Sequence, residues 1–221
     1  MLTKKILVIL AVVGMLALGG AGLAAATGTT GATYVPGAIY NCSATPYPEI
    51  DLAGCGLKDH HLSGAHLATA DLANADLEGA HLQQARLIGT NLIGTNLDGA
   101  DLTGANLTGA NLTAAILDDA NLTRAFLLAA NLTAAALTGA KLSADLIYAN
   151  LTGTDLATAD LTSAFLNGAN LTGADLSDAN LTGANLTGAN LEGVTWSDTI
   201  CPDDTNSGVG SSATCVGHLT P

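Results

Sequence analysis

The sequence predicts an all-β solenoid, a chain wound into a square rod with four five-residue sides per turn. Three observations predict it. Leucine recurs every fifth residue from Leu52 to Leu142 and, after one four-residue step, from Leu146 to Leu191. Ala stands two residues before the central position in most units, the exceptions being Ile50, Cys55, His60, Thr90, Thr95, Thr154 and Val194. Thr and Gly commonly follow the Leu, so the consensus unit reads Ala-(Asp/Asn)-Leu-Thr-Gly.

A period of five excludes the ordinary elements. On a helix five residues turn about 500°, so successive leucines drift about 140° and form no stripe. On a straight strand a step of five sends the side chain to the opposite face. Within one unit, however, Ala and Leu are two apart, and a short extended piece points both the same way. If the chain then bends by about 90°, the next unit points its own pair inward, and four bends close the coil. Gly at the bend supplies the backbone freedom. Stacked coils pair their backbones along the axis. Trp196 takes the last central place, and units from 51 to 196 make about seven coils, a rod about 35 Å long at about 4.8 Å per coil.

The elements before and after the rod read differently. At the N-terminus Lys4 and Lys5 precede the apolar run Ile6 to Leu18, and Ala24-Ala25-Ala26 offers small residues for cleavage, so 1–26 is expected to be a secretory signal peptide. An uncleaved anchor is the alternative, and the only route to a membrane, because 6–26 is just long enough to span one. Residues 27–50, with Pro36, Pro46 and Pro48, are expected to form an irregular N-terminal cap. Residues 197–221 are expected to form a C-terminal cap. Each end of a solenoid needs such a cover for its unpaired backbone. Cys42 and Cys55 lie before the regular repeats, and Cys201 and Cys215 lie after them. Export and the even count predict two disulfides. A rod between the pairs favours the local pairings, Cys42 with Cys55 and Cys201 with Cys215. A four-Cys metal site is the alternative, but there is no Cys-x-x-Cys.

Composition excludes several function classes. The 221 residues carry a formal net charge of -13 and are only 3% aromatic. Such a surface repels nucleic acid and anionic lipid and attracts a basic partner. There is no Gly-x-Ser-x-Gly, no phosphate-cradling loop and no pair of carboxylates walled in by aromatics. A Leu-filled rod has no cavity, so no catalytic residue and no cofactor is expected.

Stacking every fourth unit assigns outward residues to faces. The first face carries Asp51, Asp71, Asn91, Asn111, Asn131, Asn150, Asn170 and Asn190, a structural ladder at coil spacing. The third carries His61, His81, Asp101, Asn121, Lys141, Asp160 and Asn180. Two His and a carboxylate can bind a metal, but a straight column does not converge on one ion. His60 falls at an inward position too small for it, which predicts a distorted first coil. The fourth face carries Phe126, Leu128, Ile147, Tyr148 and Phe165 from three consecutive coils around the four-residue step. A contiguous exposed apolar patch marks a partner surface; the alternative is that the step bulges and tucks some of these side chains in. The Asn-Leu-Thr triplets match glycosylation acceptors but follow automatically from the repeat.

Units such as ANLTG (105–109) and ADLSD (174–178) resemble the pentapeptide-repeat family across about 51–196. The resemblance implies a right-handed quadrilateral β-helix. The tail, with Trp196, Cys201-Pro202-Asp203 and Thr214-Cys215-Val216-Gly217-His218-Leu219, resembles that of secreted bacterial members, with Asp204 where that form has Gly. Asp203, Asp204, Asn206 and Ser207 offer either a Ca²⁺ site or a polar turn, the turn being favoured. The resulting expectation is an exported bacterial protein, secreted, periplasmic or at the cell surface. It would be a non-catalytic scaffold presenting side chains to an unidentified protein or envelope partner, in an undefined oligomeric state. Two alternatives come with it. Some family members bind DNA gyrase as acidic DNA mimics, although those tend to carry Phe at central positions where this chain has Leu. The other is a metal- or Ca²⁺-binding surface module.

Overall fold

The structure, a computed structural model, describes residues 42, 46–208 and 214–217. The expected signal peptide (1–26), all of 27–50 except 42 and 46–50, and residues 209–213 and 218–221 of the tail lie outside these.

Each side of the coil forms a parallel β-bridge with the residue one coil on, twenty positions later, as in Asp71 with Asn91 and Asn91 with Asn111. Two backbone bonds flank each bridge: Leu72 N–H donates to the Asn91 carbonyl (2.8 Å), and Asn91 N–H donates to that of Ala70 (2.9 Å). The corners pair as well, Gly94 N–H donating to the Thr113 carbonyl at 3.0 Å. Axial bonds therefore hold both the sides and the bends.

The bend is a hydrogen-bonded β-turn. Ala75 N–H donates to the Leu72 carbonyl at 3.0 Å, and Asn74 at the third position has φ 55°. That left-handed position is what type II turns assign to Gly or Asn. The residue before Leu fixes the turn from outside: Asp101 Oδ1 accepts from Thr103 N–H (3.0 Å) and from the Thr103 hydroxyl (2.5 Å). Asp/Asn and Thr thus hold their places in the consensus by turn chemistry.

Inside, the central leucines and the alanines are buried, most at 0–1% exposure. Four inward positions carry Thr, and each hydroxyl donates to a Leu carbonyl of the coil before: Thr90 to Leu67, Thr95 to Leu72, Thr154 to Leu132 and Thr199 to Leu176. Among the described residues no buried side-chain polar atom lacks a partner. His60 is buried with its Nδ1 3.1 Å from the Lys58 carbonyl, and Leu57, His60 and Leu62 keep the regular backbone bonds. The expected distortion of the first coil is therefore absent.

At the ends, Cys42 pairs with Cys55 and Cys201 with Cys215, Cα atoms 5.5 and 5.4 Å apart. Trp196, 4% exposed, closes the Leu column. Beyond it the chain turns back, Ile200 pairing antiparallel with Asn206. Asp204 has φ 65°, a left-handed position, which explains Gly there in the resembling tails.

Candidate partner surface

The four-residue step falls at the corner between the third and fourth faces. There Leu142, Ser143, Ala144 and Asp145 lack the left-handed residue that every neighbouring corner has, and the bridges shift from twenty to nineteen residues: Phe126 pairs with Asp145 and Lys141 with Asp160. The corners above and below keep full length, with Arg124 (φ 60°) and Ser163 (φ 58°) at their left-handed positions. The corner is thus cut back rather than bulged. The result is an open groove of about 280 Å³ lined by Arg124, Ala125, Phe126, Ser143, Ala144, Asp145, Ser163 and Phe165.

Phe126 and Phe165 flank it. They take outward positions in coils two apart, with Asp145 at the same position between them. They are 51% and 54% exposed. Neither can make the Asx turn that Asp or Asn makes at this position. Asp145 does, its Oδ1 accepting from Ile147 N–H at 3.1 Å. Leu128 is exposed beside Phe126, and Ile147, one coil on, is half-buried. Tyr148 is 68% exposed yet anchored, its ring lying over Gly168 so that a Cβ there would be 2.5 Å from the tyrosine Cε1. The sequence-predicted patch residues therefore share one face, Ile147 contributing least. Arg124, Ser143, Asp145 and Ser163 were not singled out from sequence; their place at or beside one corner column, bracketing the step, was the available signal.

The third-face column has a different character. The His61 and His81 rings stack with centroids 4.6 Å apart and planes 5° from parallel. Parallel rings aim their nitrogen lone pairs along parallel planes, not at one ion. Gln83 joins this column: it accepts from the Ser63 hydroxyl, and its Nε2 lies 3.4 Å from His81 Nδ1 and donates to Asp101 Oδ2 at 2.7 Å. Burial pushes the Asp101 carboxyl up, but hydrogen bonds from Thr103 and Gln83, with the nearby His81, outweigh it and hold Asp101 below its ordinary value. In the tail, Asp203 Oδ1 accepts from Thr205, Asn206 Oδ1 accepts from Gly208 N–H (2.8 Å), and the Ser207 hydroxyl donates to the Trp196 carbonyl. These groups build a polar turn, and among the described residues no His, Cys, Asp and Glu side chains cluster as metal ligands.

A family model described as pentapeptide repeats matches in eight copies between residues 49 and 195. Among solved structures, HetL from Nostoc sp. strain PCC 7120, a pentapeptide repeat protein involved in heterocyst differentiation regulation, is 35% identical. That match covers 71% of this chain and 78% of HetL with a TM-score of 0.37. QnrB1, a plasmid-mediated fluoroquinolone resistance protein, is 20% identical over 67% of this chain and 92% of its own, with a TM-score of 0.45. A pentapeptide repeat protein of the Arabidopsis thaliana thylakoid lumen is 28% identical over 56% of this chain and 85% of its own, with a TM-score of 0.20. No curated protein matches the chain.

Proposed function

Because this chain belongs to the pentapeptide-repeat family, whose members fold as right-handed quadrilateral β-helices and generally serve as structural or interaction proteins, we propose that it is an exported, non-catalytic scaffold that presents one face to a protein partner in the cell envelope. The observation that carries this reading is the coincidence of the exposed Phe126, Leu128, Tyr148 and Phe165 with the single break in the repeat. Elsewhere the outward positions are mostly Asp, Asn and Thr serving turns and ladders. Ile88, Ile93 and Ile116 are also exposed elsewhere on the rod. The most exposed large apolar side chains of the repeats, however, Phe126, Tyr148 and Phe165, gather on the face of the one irregular corner, which supports a use outside the fold.

Two disulfides support an oxidising compartment. The rod of about seven coils, tied at both ends, then carries the face outside the cytoplasm. Intact mass of the protein from its native host tests export. The expected result is a chain lacking residues 1–26 with no alkylatable thiol; a full-length chain with four free thiols would remove this reading. Binding to the native envelope fraction tests the face. A Phe126→Asp/Phe165→Asp variant is expected to lose it, and retained binding disposes of the partner surface.

The net charge of -13 favours one second reading, an acidic rod that competes with DNA for gyrase. Leu at nearly every central position and the cysteines weigh against it. A supercoiling assay with purified gyrase separates the two: inhibition or protection supports the DNA mimic, and no effect removes it.

A further inference from the structure

We infer that the groove between Phe126 and Phe165 holds the ammonium group of a lysine side chain on a basic segment of the partner. This rests on the reading of this face as a partner surface and adds the chemistry of what it grips.

The spacing is the first argument. Outward positions two coils apart are separated by about 9.6 Å, twice the strand spacing. Two Phe positions so placed bracket a midpoint, and a ring face attracts a cation within roughly 6 Å. Asp145 occupies that midpoint in the intervening coil. Its Oδ1 is engaged once, by Ile147 N–H, so the carboxylate keeps open acceptor positions. Among the described residues Lys58 and Glu78 form an ion pair, and Asp145 forms none. Ser143 lines the same groove, whereas the Ser163 hydroxyl folds toward Gly183 on the following coil. A carboxylate flanked by two rings, with Ser143 beside it, offers acceptors to the N–H donors of a compact charge.

Lysine suits this better than arginine. A guanidinium is planar and stacks on one ring face, whereas an ammonium is a point charge that both rings can share. The lysine stem would lie along the apolar rings. Charge complementarity favours a basic segment, since the rod is acidic at -13. Arg124, which also lines the groove, opposes a bound cation, and that opposition gives the test a second sign.

The test is a two-dimensional NMR titration of ¹⁵N-labelled protein with a capped Gly-Gly-Lys-Gly-Gly peptide. Its norleucine and arginine counterparts serve as controls. Saturable shifts are expected at the amides of 124–126, 143–147 and 163–165 with the lysine peptide, weaker ones with arginine and none with norleucine. Asp145→Asn should weaken binding about threefold, and Phe126→Ala/Phe165→Ala about tenfold. Arg124→Gln should tighten it about threefold. Asp98→Asn, at another corner, should change nothing. Equal response to norleucine, absence of saturation, or an equal effect of Asp98→Asn would overturn the assignment. Unchanged spectra elsewhere show that each variant is folded. If Phe126→Asp/Phe165→Asp keeps envelope binding, the partner surface and this inference fall together. If it loses binding while the lysine titration is flat, the ammonium assignment alone falls.

Discussion

At the scale of single residues the solenoid depends on what each corner presents to the next coil. Asp59 lies over Gly79, Asn74 over Gly94, Asp119 over Gly139 and Tyr148 over Gly168. A side chain at one left-handed corner folds onto the following corner, and Gly there makes room. Gly168→Ala meets both obstacles, φ 65° and a tyrosine carbon 2.5 Å from the new Cβ. It is expected to cost about 1–2 kcal/mol by denaturant unfolding. In a Tyr148→Ala background the cost should shrink to the backbone share alone; an undiminished cost would show that the ring does not rest there. A second residue-scale prediction concerns acid. Asp101 is held below its ordinary value of 3.8, so its contribution is complete above that value and is lost as pH falls through the lower folded one. Asp101→Asn should flatten the thermal-stability profile in that acid window and leave its shape near neutral pH unchanged.

At the scale of the repeat, the first-face ladder is a relay through threonine. Thr133 donates its hydroxyl to Asn131 Oδ1 (2.6 Å) and accepts from Asn150 Nδ2 (2.9 Å), and Thr152 does the same between Asn150 and Asn170 (2.6 and 2.9 Å). Asn185 on the fourth face makes the turn bonds alone. Asn150→Ala should therefore destabilise by about 1–2 kcal/mol and Asn185→Ala by about half as much; equal losses would reduce the ladder to a set of independent turns. The square coil was legible because the period of five admits no helix or strand, and the face assignments followed by counting. The relay was not legible, because spacing shows which residues stack and not which hydroxyl lies between them. The four-residue step was visible as an interruption, but its direction depended on whether the corner lost or gained a bend residue. The structure shows that the left-handed residue is the one missing, which cuts the corner back at Ser143 and Ala144. Inserting Gly between Ser143 and Ala144 restores a full unit. It should keep or raise the melting temperature while closing the groove and abolishing envelope binding. An insertion that leaves binding intact would show that the break has no part in recognition.

At the scale of the whole molecule, each coil touches only its neighbours, so stability is a sum of local and nearest-neighbour contributions and the ends are the weak points. The last coil shows this. Leu191 and Val194 are only partly buried although they hold inward positions, whereas Leu171 and Ala174 one coil earlier are fully covered. What stands over the rest of that coil is the returning chain: Asp198 N–H donates to the Gly208 carbonyl (2.9 Å), Thr199 N–H to the Ser207 hydroxyl (3.0 Å), and Cys215 holds the segment to Cys201. The disulfide closes a loop of sequence separation 14, worth about 3 kcal/mol of chain entropy. In a one-dimensional stack that energy acts where the loop is. Cys201→Ser/Cys215→Ser should therefore speed hydrogen exchange at the amides of residues 176–200 by about a hundredfold, the equivalent of that energy. Amides of the middle coils, such as Leu112 and Leu132, should exchange at unchanged rates. Uniform acceleration along the rod would instead mean that the solenoid unfolds as one cooperative unit, with the C-terminal bridge stabilising every coil.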